Sequence, residues 1–306
     1  MAARCRSPME VSAMTGRPSV LTNLRDIASG YRGIILDLFG TVHDGLNPLD
    51  GAIDALRMLR RGEIAVCLLS NSPRRREDVA ARLAQMGFAP ELYRGLVTSG
   101  ELAFEALSND ANRDLGRRFF HIGPPELSGL FDGSGRERAE AVDQADFLLC
   151  TGASGNQALE EAERVLGNAQ VRGLVMVCAN PDHAVMVGKT RVDCAGTIAA
   201  HYECLGGTVL YYGKPLLPAY DRALSVLGLA RDHVLAIGDG LETDIVGARR
   251  AGMDAALVLT GIHHDQIVNP KTGHVLWGRL ARLCLGHERL PDFVMPAFTW
   301  GRRVQS

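Results

Sequence analysis

Gly33-Ile34-Ile35-Leu36-Asp37-Leu38-Phe39-Gly40-Thr41-Val42 constrains this chain more than any other stretch. An apolar run rich in β-branched residues ends on one carboxylate and turns through a glycine three residues later. That pattern predicts a fully buried strand delivering Asp37 to its own carboxyl end. In open α/β sheets, that end is where ligands bind. The same grammar recurs three times. The run 65–69 ends in Ser70-Asn71, 209–212 ends in Gly213-Lys214-Pro215, and 234–237 ends in Gly238-Asp239-Gly240.

A nucleophilic carboxylate, a hydroxyl, a lysine and a second acidic cluster, each at the tip of a strand, form a set suited to handling phosphate with a divalent cation. The intervening sequence supports the same layout. Pro48 opens a helix with Ile53, Leu56 and Leu59 on one face, a second helix spans about 75–86, and a third strand is expected at 96–98. Such alternation is the signature of βαβ units and a Rossmann-like parallel sheet. Between Ser70 and Lys214 the chain carries its own strands, at 119–122, 147–150 and 174–178, and helices near 157–165 and 194–205. The expectation is an α/β core domain from 30–102 and 206–300, a second α/β domain inserted at 103–205, and a disordered tail over 1–29. The last apolar segment, 293–295, is expected to add an edge strand.

Composition narrows the function. The 306 residues are 46% hydrophobic, enough for a large core and two domains. A net charge of −2 with no basic block argues against nucleic acid as a partner. No apolar run reaches the length of a membrane span. Seven cysteines without a CxxC pair, and no continuous apolar leader, lead us to expect reduced thiols and a cytoplasmic location.

In order and spacing, the four strand-tip stretches resemble the four motifs of the haloacid dehalogenase (HAD) superfamily of phosphohydrolases, over about residues 31–259. The long insertion before Gly213-Lys214-Pro215 resembles the cap of class IIA, the branch with nucleotide, phosphoglycolate and pyridoxal phosphatases. The resemblance implies a HAD core with a C2-type cap that selects the substrate. It makes Asp37 the nucleophile, with an aspartyl-phosphate intermediate, and assigns Ser70 and Lys214 to catalysis on the phosphoryl group. Asn71 would offer its backbone amide to the phosphate, and Gly40 would give the sharp turn and let its amide approach the phosphate, or only relieve backbone strain. Asn180 and Asp182, in the cap turn Asn180-Pro181-Asp182, would touch substrate or would only start a turn for local reasons.

Asp239 and Asp244 would bring further negative charge to the same rim, where bare carboxylates repel unless a hard cation sits between them. Mg²⁺ fits that set, with Asp37, Asp239, Asp244 and the backbone carbonyl of Phe39 as protein oxygens. Asp244 also suits the N-cap of the following helix. Many enzymes of the branch are dimers, so a homodimer is an allowed assembly.

Phe39 departs from the family pattern, since the phosphatases carry there an aspartate that protonates the leaving oxygen and then activates water. A positioned acid or base contributes ~10²–10⁴-fold, so esters with poor leaving groups should suffer most. His43 and Asp44 stand nearby but at a different offset from Asp37. The reading carried forward is a Mg²⁺-dependent phosphohydrolase of a small phosphorylated metabolite, such as a sugar or nucleotide phosphate, with weakened acid/base catalysis. The alternatives are a non-catalytic phosphometabolite-binding protein and an enzyme cleaving C–halogen or C–P bonds on the same scaffold.

Overall fold

The computed structural model describes residues 18–152, 158–188, 190–285 and 290–301. They divide into two compact units. The first runs through Leu69 and adds Leu83–Leu96 and the chain from Tyr220 onward; the second comprises Ser70–Arg82 and Val97–Ala219.

Strands are numbered along the chain. The larger sheet contains β1 (Ser19–Val20), β2 (Gly33–Leu36), β3 (Ala65–Ser70), β4 (Gly95–Thr98), β12 (Val234–Gly238), β13 (Asp254–Val258) and β14 (Phe293–Met295). Their order is β1-β14-β13-β12-β2-β3-β4, and the pairs from β1 across to β3 are all parallel. Every residue of β2, β12 and β14 is buried, as expected for parallel strands covered on both faces. From β2 the chain proceeds to β3 and β4 on one side and later to β12, β13 and β14 on the other. The β2/β12 boundary is therefore a topological switch point, where such sheets open a crevice at their carboxyl ends.

Helix α1 (Arg25–Ala28) precedes β2, and helix α2 (Ala52–Arg61) follows it. α2 buries Ala52, Ala55, Leu56 and Leu59 on one stripe, the 3.6-residue period of a helix against a sheet.

Two expectations for this unit are corrected. The segment 18–29 is ordered, because Leu24, Ile27 and Ala28 are buried and Ser19–Val20 forms a strand; residues 1–17 lie outside the described residues. Phe293–Met295 is consequently an interior strand, since β1 pairs beyond it.

In the second unit, β5 (Arg118–Ile122), β6 (Glu137–Arg138), β7 (Phe147–Cys150), β8 (Val175–Cys178) and β11 (Thr208–Tyr211) form a sheet ordered β11-β8-β7-β5-β6. All its pairs are parallel. Successive residues of β7 alternate between two cores. Phe147 and Leu149 pack with Phe119, Phe131 and Val177, whereas Leu148 and Cys150 pack with Met176, Ile198 and Tyr202. β9 (Ala184–Val187) and β10 (Thr190–Asp193) form a separate antiparallel hairpin.

β11 is a third correction. The strand leading to Lys214 pairs with β8, Tyr211 opposite Cys178, instead of joining the larger sheet as the expected domain limits 206–300 implied. Val209 and Tyr211 pack on the second unit's core, and that burial decides its sheet. The six cysteines among the described residues are free thiols. No helix among the described residues is long and apolar enough to cross a membrane.

Candidate active site

Asp37 directly follows β2, and Asp239 directly follows β12. The two strands are in register with Leu36 opposite Ile237, and the Asp37 N–H donates to the Ile237 carbonyl at 2.9 Å. Neighbouring parallel strands thus place two carboxylates side by side. Asp244 is the third. It lies in a single π-helical turn, Leu241–Ile245, a geometry frequent at functional sites. Asp37, Asp239 and Asp244 are all buried, and one carboxylate oxygen from each falls within 4.8 Å of the others. Three buried acids this close repel strongly when ionised. An all-oxygen set of this kind fits a hard divalent cation.

Each acid is held by its own contacts. The Thr41 hydroxyl donates to Asp37 Oδ2 at 2.9 Å. The Ile262 N–H donates to Asp239 Oδ2 at 2.6 Å. Asp244 is not an N-cap, because its side chain turns back to accept the Gly240 N–H at 3.1 Å. The Phe39 carbonyl takes part in no hydrogen bond among the described residues.

Gly40 serves the turn, one of the roles expected of it, at positive φ. Its N–H donates to the His43 carbonyl at 2.9 Å, so that amide is committed within the turn. What the position requires is space. At φ +72°, a Cβ on residue 40 would stand 2.4 Å from Asp239 Oδ2 and 2.7 Å from the Gly261 Cα. Gly261 is tighter still, with its hypothetical Cβ 1.7 Å from the same oxygen. Gly261→Ala is therefore expected to push Asp239 aside and weaken divalent-ion affinity about 10–100-fold, read as the ion concentration giving half-maximal turnover. An unchanged value would show that Asp239 is not needed where it sits.

Phe39 is half-buried, its ring edge-to-face with the His43 imidazole at 4.5 Å between centroids and 75° between planes. His43 is buried and its Nδ1 accepts the Gly45 N–H at 3.0 Å. Asp44 Oδ1 accepts the Leu46 and Asn47 N–H groups at 2.9 and 2.7 Å. The Asn47 and Leu46 amides hold its carboxyl below the usual range, so Asp44 stays ionised and is no substitute acid.

In the second unit, Ser70, Asn71 and Lys214 are buried. Ser70 Oγ accepts the Ser72 N–H at 3.2 Å, which leaves its hydroxyl proton for another acceptor. The Asn71 carboxamide is a clamp. Its Oδ1 accepts the Lys214 N–H at 2.7 Å, and its Nδ2 donates to the Lys214 carbonyl at 3.1 Å and to Asp182 Oδ1 at 2.8 Å. Asp182, expected to touch substrate, thus anchors Asn71 through one oxygen. Asn180, also expected there, is buried, and its Oδ1 accepts the Asp182 N–H at 3.1 Å to fix the turn. The Ser99 hydroxyl donates to the Tyr212 carbonyl just ahead of Gly213 and Lys214.

Thr41, Gly261, Ile262 and Ser99 escaped the sequence reading. Gly261 carried a usable signal, for it follows closely on the apolar run of β13, as the polar groups at the other strand tips follow theirs. Ser99 carried none.

Two family models match the chain: one described as haloacid dehalogenase-like hydrolase, over residues 34–137, and one described as HAD-hydrolase-like, over residues 211–277. A solved hydrolase of the haloacid dehalogenase-like family from Brucella suis 1330 is 30% identical, with a TM-score of 0.77 over 91% of this chain and 100% of that one. Mouse chronophin is 28% identical over 261 residues, 78% of this chain and 84% of that protein. Glycerol phosphate phosphatase from Mycobacterium tuberculosis, solved in complex with magnesium, is similar in fold: TM-score 0.66 at 24% identity, over 88% of this chain and 75% of that one.

Proposed function

Because the chain belongs to the class IIA branch of the haloacid dehalogenase-like hydrolase family, we propose that it is a Mg²⁺-dependent phosphohydrolase that acts on a small phosphorylated metabolite through a phosphorylated Asp37. The observation that carries this reading is the meeting of three buried carboxylates at the carboxyl ends of two adjacent parallel strands. The names of relatives point the same way, among them D-glycerol 3-phosphate phosphatase and sugar-phosphatase AraL. A bound Mg²⁺ would supply charge neutralisation between the acids and a phosphoryl group.

An Asp37 oxygen attacks phosphorus in line, the ester P–O bond breaks, and the departing oxygen takes its proton from solvent. Water then attacks the phosphorus of the acyl phosphate, releasing inorganic phosphate and regenerating Asp37. Thr41 fixes Oδ2 of Asp37 and so holds the carboxylate in one orientation. The Ser70 hydroxyl, the Asn71 N–H and the Lys214 ammonium are assigned to the phosphoryl oxygens, where charge-assisted donors stabilise the transferring group. The Asn71 carboxamide contributes by fixing the backbone that carries Lys214.

Phe39 shapes the substrate range. With no acid at that position, turnover with Mg²⁺ is expected to fall steeply from acetyl phosphate and an aryl phosphate to a sugar phosphate, and to vanish with a chelator. Equal rates for all three would show that another proton donor serves the leaving group. Binding without turnover of any would favour the phosphometabolite-binding alternative.

A further inference from the structure

The outward face of α2 carries a second stripe, Asp54, Arg57, Met58 and Arg61, at the i, i+3, i+4, i+7 spacing that aligns side chains along a helix. This stripe faces a cleft of about 800 Å³ whose other walls are Arg25 of α1 and Trp300 with Gly301 from the segment after β14. Three separate parts of the chain are packed to make it. The Leu24 N–H donates to the Thr299 carbonyl at 2.8 Å, tying the start of α1 to the residue before Trp300. A Cβ on Gly51, the residue before α2, would come within 3.0 Å of Thr299 Cγ2. Gly301, at φ +103°, lies so close to Asn23 that a Cβ there would stand 2.8 Å from its Cγ.

The lining places three guanidinium groups against one carboxylate. Asp54 is paired with Arg57 at 2.8 Å. Arg25 and Arg61 have no carboxylate partner among the described residues, and Arg61 Nη1 reaches only the Met58 sulfur at 3.7 Å. Basic residues in the last turn of a helix stabilise its end, which gives Arg60 and Arg61 an ordinary role. It does not account for a half-buried indole and a thioether sharing the cleft with unpaired guanidinium groups.

Guanidinium forks match phosphate oxygens in bidentate fashion. Indole and thioether surfaces suit a flat ring. The volume is that of an ordinary small-molecule site. We propose that this cleft binds a nucleoside phosphate, its phosphate on Arg25 and Arg61 and its base against Trp300 and Met58. The site uses none of the residues assigned to hydrolysis and stands or falls apart from that reading.

The chain has two tryptophans, and Trp277 is 44% exposed, so Trp277→Phe leaves Trp300 as the sole reporter. In that background with Asp37→Asn added to prevent turnover, AMP and ADP are expected to quench the Trp300 emission saturably. Adenosine and inorganic phosphate should each bind at least about tenfold more weakly, the loss expected for missing charge-assisted or ring contacts. Arg25→Ala with Arg61→Ala should weaken AMP at least about tenfold, while otherwise wild-type protein with these two changes keeps its aryl phosphatase rate and melting temperature. Absence of saturable quenching, quenching indifferent to the two arginines, or equal affinity for inorganic phosphate would overturn the proposal. So would sedimentation showing that this face is covered by a second copy whose association the double variant abolishes.

Discussion

Phe39→Asp is expected to raise the turnover of alkyl phosphates by ~10²–10⁴-fold, the range a positioned acid or base contributes, while changing aryl phosphate turnover far less. The residue lies two positions after Asp37 on the turn that ends at Gly40, where a carboxyl could serve the leaving oxygen. The structural cost is modest. Phe39 is half-buried and its notable partner is the His43 ring, a contact of about 0.5–1.5 kcal/mol. Phe39→Ala separates the two effects, since it loses the same ring contact and gains no acid; it should leave alkyl phosphate turnover where it was. A folded Phe39→Asp protein with normal Mg²⁺ affinity and unimproved rates would contradict the diagnosis.

Asp37→Asn carries the largest expected loss, about 10⁴-fold or more in kcat, as for removal of the attacking group in other covalent mechanisms. The substitution is nearly isosteric, and an amide oxygen can still accept the Thr41 hydroxyl that now meets Oδ2 at 2.9 Å. It removes the proposed nucleophile and one of three clustered carboxylates, so phosphate esters should bind as well as or better than to the wild type. Retention of activity within about tenfold would mean that another group attacks phosphorus. A parallel loss of ester binding would assign Asp37 to binding.

The strand tips were legible because buried parallel strands write themselves as short apolar runs, and a carboxylate, hydroxyl or lysine at the end of such a run has no packing reason to be there. Periodicity names a strand but not its partner. The run 209–212 therefore reads as a strand of the larger sheet, although Val209 and Tyr211 pack on the second unit. Segment 18–29 was hidden by brevity: four buried apolar residues interrupted by Thr22, Asn23, Arg25 and Asp26 give no sustained pattern. Gly40 left two roles open, since a positive-φ glycine can expose its amide or make a tight turn that leaves room for a neighbour. Only the position of Asp239 decides between these. The Asn71 clamp joins residues 111 and 143 positions apart, a separation over which one sequence carries no pairing signal.

The central claim is that Asp37 becomes phosphorylated, and rapid acid quenching during aryl phosphate turnover, followed by mass spectrometry of the peptide spanning Gly33 to Val42, measures it directly. With Mg²⁺ present, the account predicts a phosphoryl group on Asp37 that disappears with chelator and in Asp37→Asn. Steady turnover with that peptide unmodified, or with the phosphoryl group on another residue, would contradict it.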